Sequence, residues 1–392
     1  MRRLFVTSDI ILLMVLCIWG TCFSEPILIG LDADLGSGSA RSGIAIKRGI
    51  ILAMEEINSR GGVLGREFAL KAMDHRGNPD RGIDNINSLA QEKTLVAIVG
   101  GLHTPVALAE LPVIHRYGII YLGPWAAGTP VVKNGYAPNY VFRVSVRDEY
   151  AGPFLVQRAV ESGYGKPGLL LEQTGWGRSN SKAMTDALAA YDLQPSGPEW
   201  FLWGTTDFSH HISALKEAGA DVILFVGNAP EGVALTRSMA GLASEERLPV
   251  LSHWGITGGE FFSRARSDLA MVDLKFLQTY SFLNPPFPDK AARLFAAYRK
   301  KWPETESVRE IFAPAGTAHA YDLIFLLRAA IQKAGTTDRK KVRNALETIS
   351  RYQGLVKDYR PPFTPENHDA LSASDFQLAR FAQDGAIEPV DR

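Results

Sequence analysis

The sequence predicts an α/β protein made of two Rossmann-like lobes, each with a parallel-sheet core. From Pro26 onward, short apolar runs alternate with longer amphipathic stretches, which is the pattern of strands and helices in a parallel sheet. A second series of the same kind begins near Tyr150. The chain has 392 residues, more than one hydrophobic core usually organises. Two α/β units are therefore expected.

The first series is expected to begin with a strand at 27–31 and a helix at 44–58. In that helix Ile46, Ile50 and Met54 recur at the spacing of one helix face. The elements expected next are a strand at 68–73, a helix at 81–91, a strand at 96–99, a helix at 106–117 and a strand at 119–122.

The second series has the same alternation. Its expected helices are 151–163, 179–191, 207–219 and 233–243, and its expected strands are 168–171, 221–226 and 249–252. A proline-rich loop at 284–288 follows. The last expected elements are helices at 289–301, 315–334 and 340–348 and a strand at 376–382.

The first residues have the three parts of a secretory signal peptide. Arg2 and Arg3 precede an unbroken apolar run at 10–20, and small or polar residues complete the segment 1–24. The run of about 11 residues is too short to span ~30 Å of hydrocarbon as a helix. We expect cleavage after this segment and export to the periplasm. The alternatives are an anchor that stays attached and a lipid on Cys22.

Composition excludes several classes of protein. Cys17 and Cys22 both lie in the leader, so the exported chain is expected to have no disulfide and no cysteine-based site. The 42 basic and 42 acidic residues give no net charge. Because nucleic-acid binding needs a concentrated basic face, we expect no nucleic-acid partner.

Motifs for catalysis are missing from the sequence. It contains no phosphate-binding G-x-x-x-x-G-K-[S/T], no G-x-S-x-G elbow and no H-E-x-x-H. The loop at 36–43 follows a strand, but its third glycine is displaced from the dinucleotide-binding spacing. His210 and His211 are adjacent and point to different helix faces. We therefore expect no catalytic residues, no metal, no cofactor and no enzymatic activity.

Two loops at strand ends are candidates for ligand binding, because ligands bind beyond the carboxyl ends of parallel strands. The strand at 96–99 leads to His103 and Thr104, and the strand at 119–122 leads to Thr129. Each threonine precedes a proline and could be the N-cap of a helix. The free N–H groups of such helix ends suit a carboxylate. The alternative is that both threonines only cap their helices.

A resemblance to a known family rests on residues 53–65, which read AMEEINSRGGVLG. They closely resemble the A-x-E-E-I-N-x-x-G-G-[V/I]-x-G signature of the leucine/isoleucine/valine-binding family of ABC-importer solute receptors. Similar features follow in the family's order from Asp74 to Asp322. The resemblance implies a type I periplasmic binding fold, in which three hinge crossings join two lobes that close on a ligand.

The same resemblance sets the expected domain boundaries. Crossings near Ser145, Tyr280 and Leu355 divide the chain into one lobe of 25–145 plus 280–354 and another of 146–279 plus 355–392. We expect the protein to be a monomer.

Site residues also follow from the resemblance and from the predicted strand ends. The expected ligand-binding residues are Asp34, His103, Thr104, Trp125, Ala126, Ala127, Thr129, Trp176, Asn228 and Trp254. The family's amino-acid binders place an acid after the strand that corresponds to 249–252, where this sequence has His253 and Trp254. An amino-acid ligand would therefore need Asp34, Glu172 or Glu231 to supply the negative charge.

Three tryptophans in the expected cleft loops, Trp125, Trp176 and Trp254, favour a flat or apolar ligand surface. We expect the solute-binding protein of an ABC importer, with an ABC permease as partner. Its ligand would be an amino acid, or an aromatic or branched carboxylate or amide. The alternative function is a ligand-sensing subunit for a membrane receptor or kinase.

Overall fold

The computed structural model describes residues 25–390. The predicted leader at 1–24, with Cys17 and Cys22, lies outside the described residues. Within the described range, no helix is both long enough and apolar enough to cross a membrane.

The described residues form two main sheets and one small two-stranded sheet. The strands are β1 (Ile27–Ala33), β2 (Phe68–Asp74), β3 (Leu95–Val99), β4 (Ile120–Gly123), β5 (Val141–Arg143), β6 (Pro167–Glu172), β7 (Ser196–Phe201), β8 (Val222–Val226), β9 (Val250–Ser252), β10 (Leu274–Gln278), β11 (Tyr352–Gln353), β12 (Asp358–Tyr359), β13 (Gln377–Phe381) and β14 (Ile387–Pro389).

Helices cover the sheets. They are α1 (Ala40–Asn58), α2 (Pro79–Ala90), α3 (Thr104–Tyr117), α4 (Thr129–Val132), α5 (Asp148–Glu161), α6 (Gly175–Ala189), α7 (Ser209–Glu217), α8 (Ala229–Ala240), α9 (Phe261–Leu269), α10 (Pro288–Lys301), α11 (Pro314–Ala334) and α12 (Arg339–Leu346).

Each main sheet defines one lobe. The first sheet has the order β2-β1-β3-β4-β5, and every neighbouring pair is parallel. The second has the order β14-β13-β10-β9-β8-β6-β7. It is parallel except at one edge, where β13 and β14 run antiparallel. The predicted α/β fold with two parallel-sheet lobes is confirmed.

Several strands were not predicted from the sequence. Strand β5 has only three residues, too few for an apolar period. Strand β7 reads SGPEWF, in which glycine and proline break any alternation. Strand β10 reads LKFLQ and lies inside a stretch to which no element was assigned. The missing strands extend both sheets without changing the fold class.

The chain passes between the two sheets three times, after β5, after β10 and after α12. Helix α11 packs along α1, where the Thr317 hydroxyl donates to the Ala45 carbonyl at 3.1 Å. A Cβ on Gly49 would lie 2.2 Å from the Thr317 carbonyl oxygen, so glycine permits this close approach. The residue boundaries of the lobes given above remain a prediction.

The third passage is held to α11 by Asp322, whose side chain is fully buried. Its carboxylate accepts hydrogen bonds from the N–H groups of Leu355 at 2.6 Å and Val356 at 2.9 Å, and from the Tyr359 hydroxyl at 2.7 Å. Burial raises the pKa of Asp322 to about 6, although these donors act to lower it.

Candidate ligand-binding site

The carboxyl ends of the two sheets enclose a narrow cavity of about 10 Å³, about the space that one water molecule needs. Its walls come from the loops after β3 and β4 in the first lobe and after β6, β7, β8 and β9 in the second. The predicted residues that line it are His103, Thr104, Trp125, Ala127, Trp176, Asn228 and Trp254. The two loops chosen from the sequence therefore meet the second lobe at one cavity. That these residues bind a ligand remains a prediction.

Ala126 and Thr129 were also predicted to bind the ligand, but neither residue lines this cavity. The Ala126 side chain packs in the core of the first lobe, and its carbonyl accepts from Arg143 at 2.9 Å. The N–H of Thr129 donates to the Ser179 hydroxyl at 3.1 Å, and its own hydroxyl accepts from the Glu149 N–H at 3.1 Å. Thr129 thus joins the lobes beside the cavity.

Thr104 lines the cavity, but it is not an N-cap. The Ala107 N–H bonds to the His103 carbonyl at 3.0 Å, so the helix begins one residue earlier and His103 occupies the cap position. The Thr104 hydroxyl instead accepts from the Gly128 N–H at 3.1 Å. A hydroxyl that accepts one hydrogen bond still has its own hydrogen to donate.

Asp34 was predicted as a ligand contact, but it lies behind His103 and not on the cavity wall. Its carboxylate accepts from the Ser37 N–H at 2.8 Å, and it lies 3.5 Å from Nε2 of His103. Burial opposes its ionisation, but hydrogen bonds from His103 and Ser37 outweigh this effect and hold the pKa of Asp34 below its usual range. The loop uses this acid to orient His103.

Glu172 is the acid that lies on the cavity wall. It ends β6, is fully buried, and accepts from Trp203 Nε1 at 2.8 Å, from Asn228 Nδ2 at 3.0 Å and from the Thr174 hydroxyl. Burial raises the pKa of Glu172 to about 8, because its effect is larger than the opposite effect of the hydrogen bonds from Thr174 and Trp203. Glu231 instead accepts from the Gly204 N–H at 2.9 Å and lines a neighbouring crevice.

Trp203 is the cavity residue that the sequence did not indicate. It follows β7, a strand that has no apolar alternation, so no strand end pointed to it. Its ring lies 5.2 Å from that of His103, centroid to centroid. Since His103 belongs to the first lobe and Trp203 to the second, this contact closes one end of the cavity.

The cleft helices begin a full turn earlier than predicted. Helix α1 begins at Ala40 and not at 44, α6 at Gly175 and not at 179, and α8 at Ala229 and not at 233. Their first turns are rich in small residues and proline, and so lack apolar periodicity. In α6 the Thr174 hydroxyl accepts from the Trp176 N–H at 3.1 Å, which places Trp176 in the first turn.

Trp176 is fixed by Asp148, the first residue of α5. Its Nε1 donates to Asp148 Oδ1 at 3.2 Å. Nδ1 of His253 accepts from the Trp254 N–H at 2.9 Å, and its Nε2 lies 3.3 Å from the same Asp148 oxygen. The buried Asp148 carboxylate thus orients the Trp176 ring by a hydrogen bond and lies beside the His253 ring.

A family model described as periplasmic binding protein matches residues 26–386. The chain belongs to the periplasmic binding protein family. The resemblance inferred from residues 53–65 is confirmed. Proteins of this family are exported solute receptors that bind small molecules and work with ABC permeases.

Curated relatives and solved structures agree with this family. The Leu/Ile/Val-binding protein homolog 3 of Brucella melitensis is 27% identical over 323 residues, which cover 80% of each chain. A type 1 periplasmic binding protein from Bordetella pertussis has a TM-score of 0.84 at 23% identity, covering 93% of this chain and 100% of that one. A solute-binding protein of R. palustris in complex with 4-hydroxybenzoate has a TM-score of 0.78 at 18% identity, covering 94% and 96%.

In this periplasmic binding protein, a buried ion pair supports the loop beside Thr104. Arg143 and Asp369 are both fully buried and pair through Arg143 Nε. Arg143 Nη1 donates to the carbonyls of Ala126 at 2.9 Å and Gly128 at 3.0 Å. Within residues 25–390, no three His, Cys, Asp or Glu side chains are arranged to hold a metal ion.

Proposed function

We propose that this chain is the solute-binding protein of an ABC importer and that it captures a small organic carboxylate in the cavity between its lobes. The observation that carries the proposal is the cavity itself, which is walled by strand-end loops of both sheets. A ligand that touches both walls stabilises the closed form, which a permease can recognise.

The first lobe offers donors for a carboxylate. The N–H groups in the first turn of α3 have no acceptor within the helix, and the helix dipole favours an anion there. The Thr104 hydroxyl keeps a hydrogen to donate beside them. These groups support a carboxylate held at Thr104.

The second lobe offers an acid and aromatic walls. Glu172 can accept from a ligand ammonium when ionised, or donate to an amide or carboxylate when protonated. The indole rings of Trp176 and Trp254 supply apolar surface on the same side. Relatives are named for leucine, isoleucine and valine, and one solved neighbour holds 4-hydroxybenzoate. We propose an amino acid, or an aromatic or branched carboxylate or amide, as ligand.

We further propose that residues 1–24 are removed on export and that the mature protein acts in the periplasm. It would act as a monomer with an ABC permease as partner, and without catalysis, metal or cofactor.

A thermal-shift screen across amino acids, aromatic acids, branched acids and their amides tests the proposal. A ligand at 100 times its dissociation constant adds about 2.7 kcal/mol of stability, which gives a clear rise in melting temperature. Trp176→Ala should abolish the shift because it removes one cavity wall. A hit that shifts wild type and this variant equally binds elsewhere and would contradict the proposed site.

A further inference from the structure

A second concave surface lies on the first lobe, away from the cleft. It is a groove between α1, α10 and α11, closed at one end by residues 352–355, and its volume is about 860 Å³ compared with about 10 Å³ for the cleft cavity. Tyr321, Phe325 and Tyr352 line it together with several cations. Nothing in the proposed transport function uses this groove.

The acids of the groove are already paired. Glu55 bonds to Lys301, and Glu56 bonds to Arg60 at 2.6 Å and to the Tyr321 hydroxyl. These acids therefore do not neutralise the remaining cations.

The unpaired cations stand on two of the helices that line the groove. Arg293 and Lys300 line the groove from α10 and lie seven residues, or about 10 Å, apart on one helix face. Arg328 lines it from α11 and is partly buried. Within residues 25–390, none of these three side chains has a hydrogen-bond acceptor or a carboxylate partner. A partly buried guanidinium without a partner loses hydration that nothing in the chain replaces.

A fourth cation marks the end of the groove. The Lys290 ammonium donates to the backbone carbonyl of Gln353 and lies 3.4 Å from that of Gly354. Burial lowers the pKa of this ammonium, and Arg293 acts in the same direction, although the carboxylates of Asp322, Glu56 and Asp358 oppose this shift. An anion in the groove would offset the repulsion between these cations.

We propose that this groove is a second binding site, for an anion that carries two or more phosphate groups. Guanidinium groups hold phosphate oxygens through paired N–H donors, and the cations of α10 and the guanidinium of α11 can each take one phosphate. The groove is concave, so it admits a compact polyphosphate or the headgroup of an anionic lipid. The two sources share the same phosphate chemistry.

Titration of the full-length purified protein with tripolyphosphate at low ionic strength tests the proposal. We expect saturable binding, weakened about tenfold or more by Arg293→Glu or Lys300→Glu, since each loses charge-assisted hydrogen bonds. Arg328→Gln should weaken it similarly while the protein stays folded. Arg299→Glu is the matched control, because Arg299 is exposed on α10 and does not line the groove. It should change binding less than about twofold, since only diffuse, screened attraction is lost.

Sedimentation with vesicles that contain cardiolipin, an anionic lipid whose headgroup carries two phosphate groups, separates the two sources. Binding to vesicles that the Lys300→Glu variant loses, with none to tripolyphosphate, would identify a lipid headgroup as the ligand and support the site. If wild type binds neither probe, or if Arg299→Glu reduces binding as much as Lys300→Glu, the proposal is wrong. Neither result would bear on the proposed function of the cleft, because the thermal-shift screen tests the cleft ligand separately.

Discussion

Trp125 of the first lobe and Trp254 of the second stack across the cleft, with ring centroids 4.7 Å apart and ring planes inclined by 26°. Both side chains are almost fully buried. The pair therefore acts as a direct contact that holds the lobes together. A flat ligand between the rings would need them about 7 Å apart, at two carbon–carbon contact distances.

Trp254→Ala should weaken the closed form. Stacked aromatic pairs contribute about 0.5–1.5 kcal/mol beyond the area they bury, and this variant loses the buried area as well. We expect ligand affinity to fall at least about tenfold and the radius of gyration in solution scattering to rise. Trp254→Phe keeps an aromatic face and should lose less. Equal affinity in wild type and Trp254→Ala would show that the stack does not support closure.

Thr104→Val should weaken ligand binding by about 1–3 kcal/mol, the range for a lost buried hydrogen bond. The variant keeps the shape of the side chain but removes the hydroxyl that Gly128 and the proposed carboxylate share. Thr104→Ser keeps the hydroxyl and is the matched control. Calorimetric titration measures both affinities. A loss in Thr104→Ser as large as in Thr104→Val would point to packing and not to hydrogen bonding.

Stability should fall as pH rises from about 4.5 to about 8 because of Glu172. Its pKa is raised to about 8 in the fold from an ordinary value of 4.5, so the folded protein favours the protonated acid. This contribution is complete below about pH 4.5 and is lost by about pH 8, a change of a few kcal/mol.

Urea unfolding at pH 5 and pH 8 checks this contribution. Asp32 and Asp322, whose pKa values are each raised to about 6 mainly by burial, add to the same trend. Glu172→Gln isolates one acid, because an amide does not titrate. We expect a smaller fall in stability between the two pH values for this variant than for wild type. Parallel pH profiles would mean that Glu172 is ionised in the folded protein.

Asp369→Asn should destabilise the protein by about 3–5 kcal/mol, the cost of breaking a buried ion pair from one side. The change leaves the charge of fully buried Arg143 uncompensated, and Arg143 also holds the Ala126 and Gly128 carbonyls. Asp186→Asn removes the acid of an exposed pair with Lys182 and should change little. Denaturant midpoints compare the two, and similar shifts would contradict the prediction.

The sequence could predict the two lobes and most of the cavity wall, because apolar strands such as β3 and β8 end where the ligand loops begin. It could not predict Trp203, since β7 has no apolar period. The sequence also suggested Asp34 and Thr129, which do not line the cavity. Asp34 accepts from Ser37 in its own loop and faces His103, and Thr129 bonds to Ser179 and Glu149. The contacts with His103, Ser179 and Glu149 join distant parts of the chain, and no local pattern records them.

The contact between His103 and Trp203 has a practical consequence. The Trp203 side chain is 38% exposed at the cavity mouth while its indole N–H is bonded to Glu172. If the lobes part, that ring leaves His103 and meets water, which shifts its emission to longer wavelength. The difference spectrum between wild type and Trp203→Phe would separate this signal from the other tryptophans. The emission wavelength of its intrinsic tryptophan fluorescence would then report whether the cleft holds a ligand, without an added dye.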